Sequence, residues 1–243
     1  MTEQDTRPLI VALDFDRLGT AISLGQKLKN LCGMFKIGSQ LFSAAGPEAV
    51  KRLARLGPDI FLDLKFHDIP HIVECAVSAA ARLPKVRLLT LHTLGGRKMM
   101  QVAVAAVRSR DSRVRLLGIT VLTSLKAADL RQVSIRGPVV RRACDLARLA
   151  QKAGLDGVVA SAREATAIRL ACGGRFLIVV PGVRPGQARA TDDQKRVATP
   201  AEAIRAGADY VVVGRPITGA RDPVDAARAI LEEIARARRP RIW

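Results

Sequence analysis

The sequence is poor in aromatic side chains, which limits both what fills a core and what stacks on a ligand. Only 3% of the 243 residues are aromatic, comprising one Trp, one Tyr and six Phe. A core must therefore be built mainly from Leu, Val, Ile and Ala, which are plentiful because 49% of the residues are hydrophobic. So few rings also leave no stacking platform of the kind that binds single-stranded nucleic acid.

Cysteine is scarce, and long apolar runs are absent. Cys32, Cys75, Cys144 and Cys172 are far apart and form neither a Cys-x-x-Cys pair nor a Cys/His ligand spacing. This pattern predicts free thiols in a reducing compartment and no zinc site. No stretch approaches the ~20 apolar residues of a membrane span, and the polar segment Met1–Pro8 lacks the apolar part of a signal peptide. We therefore predict a cytoplasmic protein without a membrane partner.

Acidic residues are also few relative to basic ones. The chain has 22 Asp and Glu against 40 Lys and Arg, a net charge of +18. Such an excess fits anionic partners such as nucleic acid or phosphorylated metabolites. The arginines are scattered over many predicted helices, with one run at 236–241, which favours a solvated basic surface without a nucleic-acid partner. A basic nucleic-acid-binding protein stays as an alternative, which predicts steeply salt-dependent binding of RNA or DNA.

Apolar runs rich in β-branched residues alternate with segments of helical period along the chain, and the runs are typical of parallel strands buried on both faces. The predicted strands are Leu9–Leu13, Met34–Ile37, Ile60–Leu64, Val86–Leu91, Leu116–Leu122, Gly157–Ala160, Leu177–Val180 and Tyr210–Val213. The predicted helices include Ala21–Leu31, Ala49–Leu56, Ile69–Ala81, Met99–Arg108, Val139–Lys152, Ala162–Ala171 and Pro223–Ala235. A unit of roughly 30 residues repeated about eight times predicts an α/β fold, a (β/α)₈ TIM barrel forming a single catalytic domain over residues 1–243. The runner-up, an open doubly wound sheet, lacks a Gly-x-Gly-x-x-Gly after its first strand.

Polar residues follow the C-terminal ends of these strands, at the rim that carries active sites in such barrels. They are Asp14, Lys36, Asp63 with Lys65, His92, Thr123 with Ser124, Arg184, and Arg215. Asp63 and Lys65 are two residues apart, so strand alternation places them on one face. An acid beside a base at a buried strand end predicts an ion pair, and the other polar strand ends favour a catalytic array over a purely structural pair.

Two features of the C-terminal half predict a phosphate site with a lid. The connection 183–199 is long, which is typical of functional lids, although a surface insertion has the same length. After the last strand, Gly214 lets a ligand approach the backbone, and Pro216 suits the first turn of a short helix. That helix start and Arg215 predict an anion site where such barrels commonly hold phosphate.

The histidines allow more than one interpretation. His67 and His71 are four residues apart with Glu74 close by, so metal ligation is conceivable, but a solvated or hydrogen-bonded pair is favoured. We predict no metal site. His92 at a strand end is interpreted either as a group that positions the charged residues or as a plain core histidine.

Several longer motifs are distributed along nearly the whole chain. They are 11–14 (VALD), 35–38 (FKIG), 63–70 (DLKFHDIP), His92 with 95–96 (GG), 122–124 (LTS), 181–184 (PGVR), 193–200 (DQKRVATP), 207–210 (GADY) and 214–216 (GRP). This combination resembles the bacterial-type orotidine 5′-phosphate decarboxylase family. The Asp-x-Lys-x-x-Asp core at 63–68 is shared with sister phosphosugar enzymes, whereas 193–200 is much more specific.

The resemblance implies a homodimeric carboxy-lyase that converts orotidine 5′-monophosphate (OMP) to UMP and CO₂, the last step of de novo UMP biosynthesis, without metal or organic cofactor. It implies that Lys65 is the proton donor and that Asp63 and Lys36 complete a charged array around the substrate. Asp68 is expected to reach into the neighbouring subunit's active site. The implied substrate contacts are Asp14 and Lys36 to the ribose, Thr123 or Ser124 to the pyrimidine, and Arg184, Gln194, Gly214 and Arg215 to the phosphate and its lid.

One position departs from the family pattern. The family usually carries Thr four residues after the second Asp, where it meets the partner subunit's ribose, and here that position is Ile72, preceded by His71. A hydroxyl contact is lost, so we expect either that His71 substitutes or that substrate binding is weaker.

The main rival within the enzyme class is a sister barrel, a decarboxylase or aldolase acting on a keto-sugar phosphate. Such an enzyme needs Mg²⁺ for an enediolate. Activity on OMP that is insensitive to a chelator separates the two functions.

Overall fold

A computed structural model describes residues 7–109, 113–186 and 198–238, and these contain a closed barrel of eight parallel strands. The strands follow one another around the barrel in sequence order, and the last pairs with the first in the register Leu9↔Val211. Helices connect the successive strands. The predicted (β/α)₈ barrel is confirmed.

The bounds of the elements are as follows. The strands are β1 (Leu9–Ala12), β2 (Met34–Gly38), β3 (Asp59–Phe66), β4 (Val86–His92), β5 (Arg115–Ile119), β6 (Gly157–Val159), β7 (Leu177–Pro181) and β8 (Tyr210–Val213). The helices are α1 (Leu18–Leu28), α2 (Ser39–Ala45), α3 (Pro47–Ala54), α4 (Pro70–Ala80), α5 (Gly96–Arg108), α6 (Ala127–Gln132), α7 (Val139–Ala153), α8 (Ala162–Cys172), α9 (Pro200–Arg205), α10 (Arg215–Thr218) and α11 (Pro223–Arg238). A 3₁₀ turn at Thr93–Gly95 precedes α5.

Several element boundaries differ from the sequence prediction by one to three residues. β5 ends at Ile119, three residues earlier than predicted, and Thr120 then donates from its backbone N–H and its hydroxyl to the Val159 carbonyl. The connection predicted at 183–199 ends where Thr199 caps α9 in a capping box with Glu202. Residues 187–197 of that connection lie outside the described residues.

The core has two layers, which follow from the alternation of side chains along each strand. On β1, Leu9 and Val11 join the large cluster between strands and helices, whereas Ile10 and Ala12 join a smaller cluster inside the barrel. The inner cluster is almost entirely aliphatic, and Phe61 is the one ring fully buried within it. Because apolar side chains fill the barrel, a ligand site has room only above them, at the ends of the strands.

Within the described ranges, no helix combines the length and the hydrophobicity that crossing a bilayer requires. All four cysteines are free, as the sequence predicts. Burial raises the pKa of the Cys32 thiol to about 12, which keeps that thiol protonated.

Candidate active site

A cavity of about 360 Å³ lies at the C-terminal ends of the strands. Most of the residues predicted for the site line it together. They are Asp14, Lys36, Asp63, Lys65, Thr123, Ser124, Arg184, Gly214 and Arg215. Ala12, Phe61 and Val212 of the inner apolar cluster also line this cavity. Residues that are far apart in sequence therefore meet at the rim that the barrel architecture predicts.

Four charged side chains from β2, β3 and the loop after β1 form a row of alternating sign. Lys36 Nζ lies 2.8 Å from Asp14 Oδ1 and 3.8 Å from Asp63 Oδ2. Lys65 Nζ lies 2.8 Å from the same Asp63 Oδ2. Only 11% of each of the Lys36 and Asp63 side chains is exposed. Each buried charge has an opposite neighbour, which offsets much of its desolvation penalty.

Gly38 provides the space for this row of charges. A Cβ atom at that position would lie 2.7 Å from Lys36 Nζ and 2.8 Å from Asp14 Oδ1. Any larger residue there would push the ion pair apart. Gly38 is therefore part of the site, and its place two residues after Lys36 in the 35–38 motif is the sequence signal for it.

Lys65 has an unusual backbone. Its φ is +52°, in the left-handed region that residues other than glycine adopt uncommonly. The pairing of β3 with β4 shifts register at the same point, between Leu62 and Phe66. Regular strand alternation, which predicts Asp63 and Lys65 on one face, is therefore interrupted. The two side chains meet through an irregular strand end instead.

Thr90 belongs to this site, although the pattern of polar strand ends does not predict it. Its hydroxyl accepts a hydrogen bond from the Lys65 backbone N–H and donates one to Asp63 Oδ1, both at 2.9 Å. It is the one hydroxyl residue within the otherwise apolar middle of β4. A single polar residue within a buried strand is the sequence signal that marks Thr90.

Arg184 and Arg215 bring positive charge to the side of the cavity formed by β7 and β8. Arg215 is the first residue of α10, and a Cβ atom placed on Gly214 before it would lie 3.5 Å from Ala12 Cβ, an ordinary contact distance. The Arg184 backbone N–H donates to the Ala198 carbonyl, which joins the two described ends of the 183–199 connection. Gln194, predicted to contact phosphate, lies outside the described residues.

Asp68 does not line this cavity. It is exposed, and its Oδ1 accepts a hydrogen bond from the Ile69 backbone N–H at 2.6 Å. Nearby apolar side chains are also unusually exposed: Ile69 is 64% exposed and Ile72 is 47% exposed. His71 is exposed as well, with its Nε2 3.9 Å from Cys75 Sγ.

His67 and His92 stack on one another beside the charged row, with ring centroids 5.2 Å apart. His92 Nδ1 is buried and has no hydrogen-bond partner among the described residues. Burial lowers the pKa of His92 below its ordinary value of 6.5, and nearby His67 and Lys65 lower it further, while Asp63 acts in the opposite direction. Within the described part of the chain, no three His, Cys, Asp or Glu side chains are arranged to hold a metal ion.

His92 makes the stability of the fold depend on pH. The pKa of His92 is lowered in the folded protein. As the pH falls through 6.5, His92 therefore binds a proton more readily in the unfolded chain than in the folded protein. The stabilisation from neutral His92 is complete above that pH and is lost as the pH falls toward the folded pKa. We expect His92→Gln to flatten the decrease in the free energy of unfolding as the pH falls below about 6.5.

Urea denaturation at several pH values measures this dependence. His71→Gln is the matched control, because it removes an exposed histidine a few residues from the same site and should leave the wild-type slope unchanged. If the free energy of unfolding of His92→Gln depends on pH as steeply as that of the wild type, His92 is not the source of the dependence.

Comparison with known proteins adds to this geometry. The model of the orotidine 5′-phosphate decarboxylase / HUMPS family matches residues 7–230. The orotidine 5′-phosphate decarboxylases of Trichlorobacter lovleyi and Geobacter sulfurreducens are each 51% identical, over 96% of this chain and 98% of theirs. The crystal structure of the Lactobacillus acidophilus orotidine 5′-phosphate decarboxylase is 37% identical and superposes with a TM-score of 0.80, covering 94% of this chain and 99% of that one. The chain belongs to the orotidine 5′-phosphate decarboxylase / HUMPS family.

Proposed function

We propose that this chain decarboxylates OMP to UMP and CO₂, the last step of de novo UMP biosynthesis. The observation that carries the proposal is the row Asp14, Lys36, Asp63 and Lys65, which lines one cavity together with Arg184 and Arg215. The row suits a reaction that builds up negative charge, and the arginines suit a phosphate. The names of the relatives agree with this function.

The chemistry demands an electrostatic site. Loss of CO₂ leaves a carbanion in the plane of the pyrimidine, where the ring π-system does not delocalise it. The protein must therefore stabilise the charge with preorganised groups and then supply a proton. In this proposal the Lys65 ammonium faces the developing charge and protonates the carbon. Its side chain is 35% exposed, so it reaches from the protein into the open cavity.

Asp63 and Lys36 hold Lys65 in place. Asp63 Oδ2 contacts the Lys65 ammonium at 2.8 Å and the Lys36 ammonium at 3.8 Å. In the proposed complex the substrate carboxylate enters beside Asp63, and its departure as CO₂ relieves a repulsion between like charges. Asp14, whose side chain is 45% exposed beside Lys36, then contacts the ribose hydroxyls together with Lys36.

The remaining contacts divide between the two ends of the substrate. Thr123 and Ser124 lie on the loop after β5, where they contact the pyrimidine edge in this proposal. Arg184, Gly214 and Arg215 bind the phosphate, joined by Gln194 on the basis of the family resemblance. The phosphate is remote from the reacting carbon, so its binding energy serves to close the lid and to organise the charged row.

We further propose that the reaction needs no metal or organic cofactor, unlike the Mg²⁺-dependent sister enzymes, in which the metal stabilises an enediolate. An ammonium supplies the positive charge in the present site. We also propose that residues 1–243 form one catalytic domain and that the enzyme works in the cytoplasm without a nucleic-acid partner. Four free cysteines suit that compartment.

Lys65→Ala tests the proposed acid directly. We expect it to lower kcat by at least about 10³-fold. The variant should lose some stability but stay folded at the assay temperature, because Asp63 keeps Lys36 and Thr90 as partners. The measurement is the ultraviolet assay for loss of OMP, run with and without EDTA. Wild-type turnover unaffected by EDTA is the result expected.

Two outcomes would contradict this function. Normal UMP formation by Lys65→Ala places the acid elsewhere. Loss of wild-type activity in EDTA, restored by Mg²⁺, favours the sister enzymes instead.

We propose that the active enzyme is a homodimer in which Asp68 completes the partner's site. Asp68 is exposed and does not line its own cavity. The apolar side chains of Ile69, Ile72 and Leu94 are exposed by 64%, 47% and 50%, which is more than isolated subunits usually leave uncovered in one region. A second copy of the chain would cover them and bring its Asp68 to the cavity.

Mixing two inactive variants tests this arrangement. In a mixed dimer of Lys65→Ala and Asp68→Asn, one site has both wild-type residues, so random pairing should restore about one quarter of wild-type activity. Co-expression of the two variants and assay of the unseparated dimers measure it. Two different affinity tags then isolate the mixed dimer, which should have about one half of wild-type activity. Mixing Lys65→Ala with Lys36→Ala is the control, because both residues act in their own subunit and no intact site forms.

Failure of Lys65→Ala and Asp68→Asn to complement, with mixed dimers present, would place Asp68 in its own subunit's site. A monomer at assay concentration would exclude the dimer.

A further inference from the structure

Thr90 occupies a special position opposite the catalytic part of β3. β3 and β4 pair at Leu62↔Leu89 and again at Phe66↔Leu91. Between these two pairs, β3 advances by four residues and β4 by only two. The three residues 63–65 therefore face Thr90 alone. A bulge of this kind leaves backbone groups of the longer strand without partners in the ladder.

The Thr90 hydroxyl takes the place of one of these ladder partners and also binds the Asp63 side chain. Its oxygen accepts from the Lys65 backbone N–H at 2.9 Å, and its proton is donated to Asp63 Oδ1, also at 2.9 Å. A hydroxyl has a single proton to donate, so the direction of both bonds is fixed by the ionised carboxylate. Thr90 is 0% exposed, so water has no access from which to take its place.

Both bonds act on the geometry of the charged row. The bond to Lys65 holds a residue whose φ of +52° persists only when its surroundings fix it. The bond to Oδ1 sets the rotation of the Asp63 carboxylate, which leaves Oδ2 directed at the Lys65 ammonium, 2.8 Å away. One buried hydroxyl thus fixes the Lys65 backbone, from which the side chain starts. It also fixes the Asp63 carboxylate, which the Lys65 ammonium contacts.

We propose that Thr90 is a positioning residue for decarboxylation: it does not touch the substrate, and it aligns the Asp63–Lys65 pair through its hydroxyl. The inference rests on the proposed function of that pair. Loss of the Thr90 hydroxyl should affect the chemical step more than substrate binding, because the ribose and phosphate contacts lie on other strands or the loops after them.

Thr90→Val tests the inference, since it keeps the shape and removes only the hydroxyl. We expect kcat for OMP to fall about 10- to 100-fold, the scale of a misplaced catalytic group. KM should stay within about threefold of wild type, because ground-state contacts are retained. Thr90→Ser restores the hydroxyl and should recover most of kcat. If Thr90→Val does not fold, Thr90→Ala takes its place against the same Thr90→Ser comparison.

Thr93→Val is the matched control. Thr93 is also 0% exposed, and its hydroxyl donates to the Ile119 carbonyl at 2.7 Å, away from the ion pair. We expect this variant to lose stability and to keep wild-type kcat. An equal loss of kcat in Thr93→Val would show that any buried hydroxyl in this region matters and would overturn the specific role.

Other results separate this inference from the proposed function. Wild-type kcat in Thr90→Val, or a Thr90→Ser variant as impaired as Thr90→Val, overturns the role of Thr90 while an inactive Lys65→Ala leaves the function standing. A fully active Lys65→Ala overturns the proposed function itself.

Discussion

The Asp63 carboxylate, held between two ammonium groups at the mouth of the barrel, is the interaction on which the site depends. Its Oδ2 is shared by Lys65 and Lys36, and its Oδ1 accepts from Thr90. A nearly buried carboxylate without these partners would be strongly destabilising. With them, it becomes a fixed negative charge that orients two cations toward one cavity. The reactivity proposed for Lys65 follows from that arrangement.

The barrel makes this arrangement possible because adjacent parallel strands end at the same rim. β2 pairs with β1 in the register Ala12↔Lys36 and with β3 in the register Gly38↔Asp63. These registers place the charged residues side by side although they are distant in sequence. The packed interior beneath them keeps the strands rigid, and such rigidity is what electrostatic preorganisation requires.

The fold was predictable from the sequence because parallel strands covered on both faces appear as continuous apolar runs. The short helices α2, α6 and α9 were not predicted, since six or seven residues are too few to establish a helical period. The charged members of the site were recognisable as polar residues after strands. Thr90 was not, because its role arises from the bulge between β3 and β4, and a register shift leaves no pattern in either strand alone.

Some of the many arginines have structural roles. Arg169 on α8 pairs with Asp209 at 2.7 Å and donates to the carbonyls of Phe176 and Gly207, so it joins α8 to the starts of β7 and β8. Arg87 similarly pairs with Asp59 at 2.9 Å. These arginines have structural partners within the barrel. This agrees with the interpretation that much of the positive charge is distributed over the fold and not gathered for one anionic partner.

A double-mutant cycle on the free energy of unfolding tests the central interaction most directly. Asp63→Asn, Lys65→Met and the double variant are compared with wild type by urea denaturation at neutral pH. A held ion pair predicts a coupling of between roughly 0.5 and 2 kcal/mol, because each single variant leaves the other charge without its nearest partner. Effects that add to within about 0.3 kcal/mol would contradict the account.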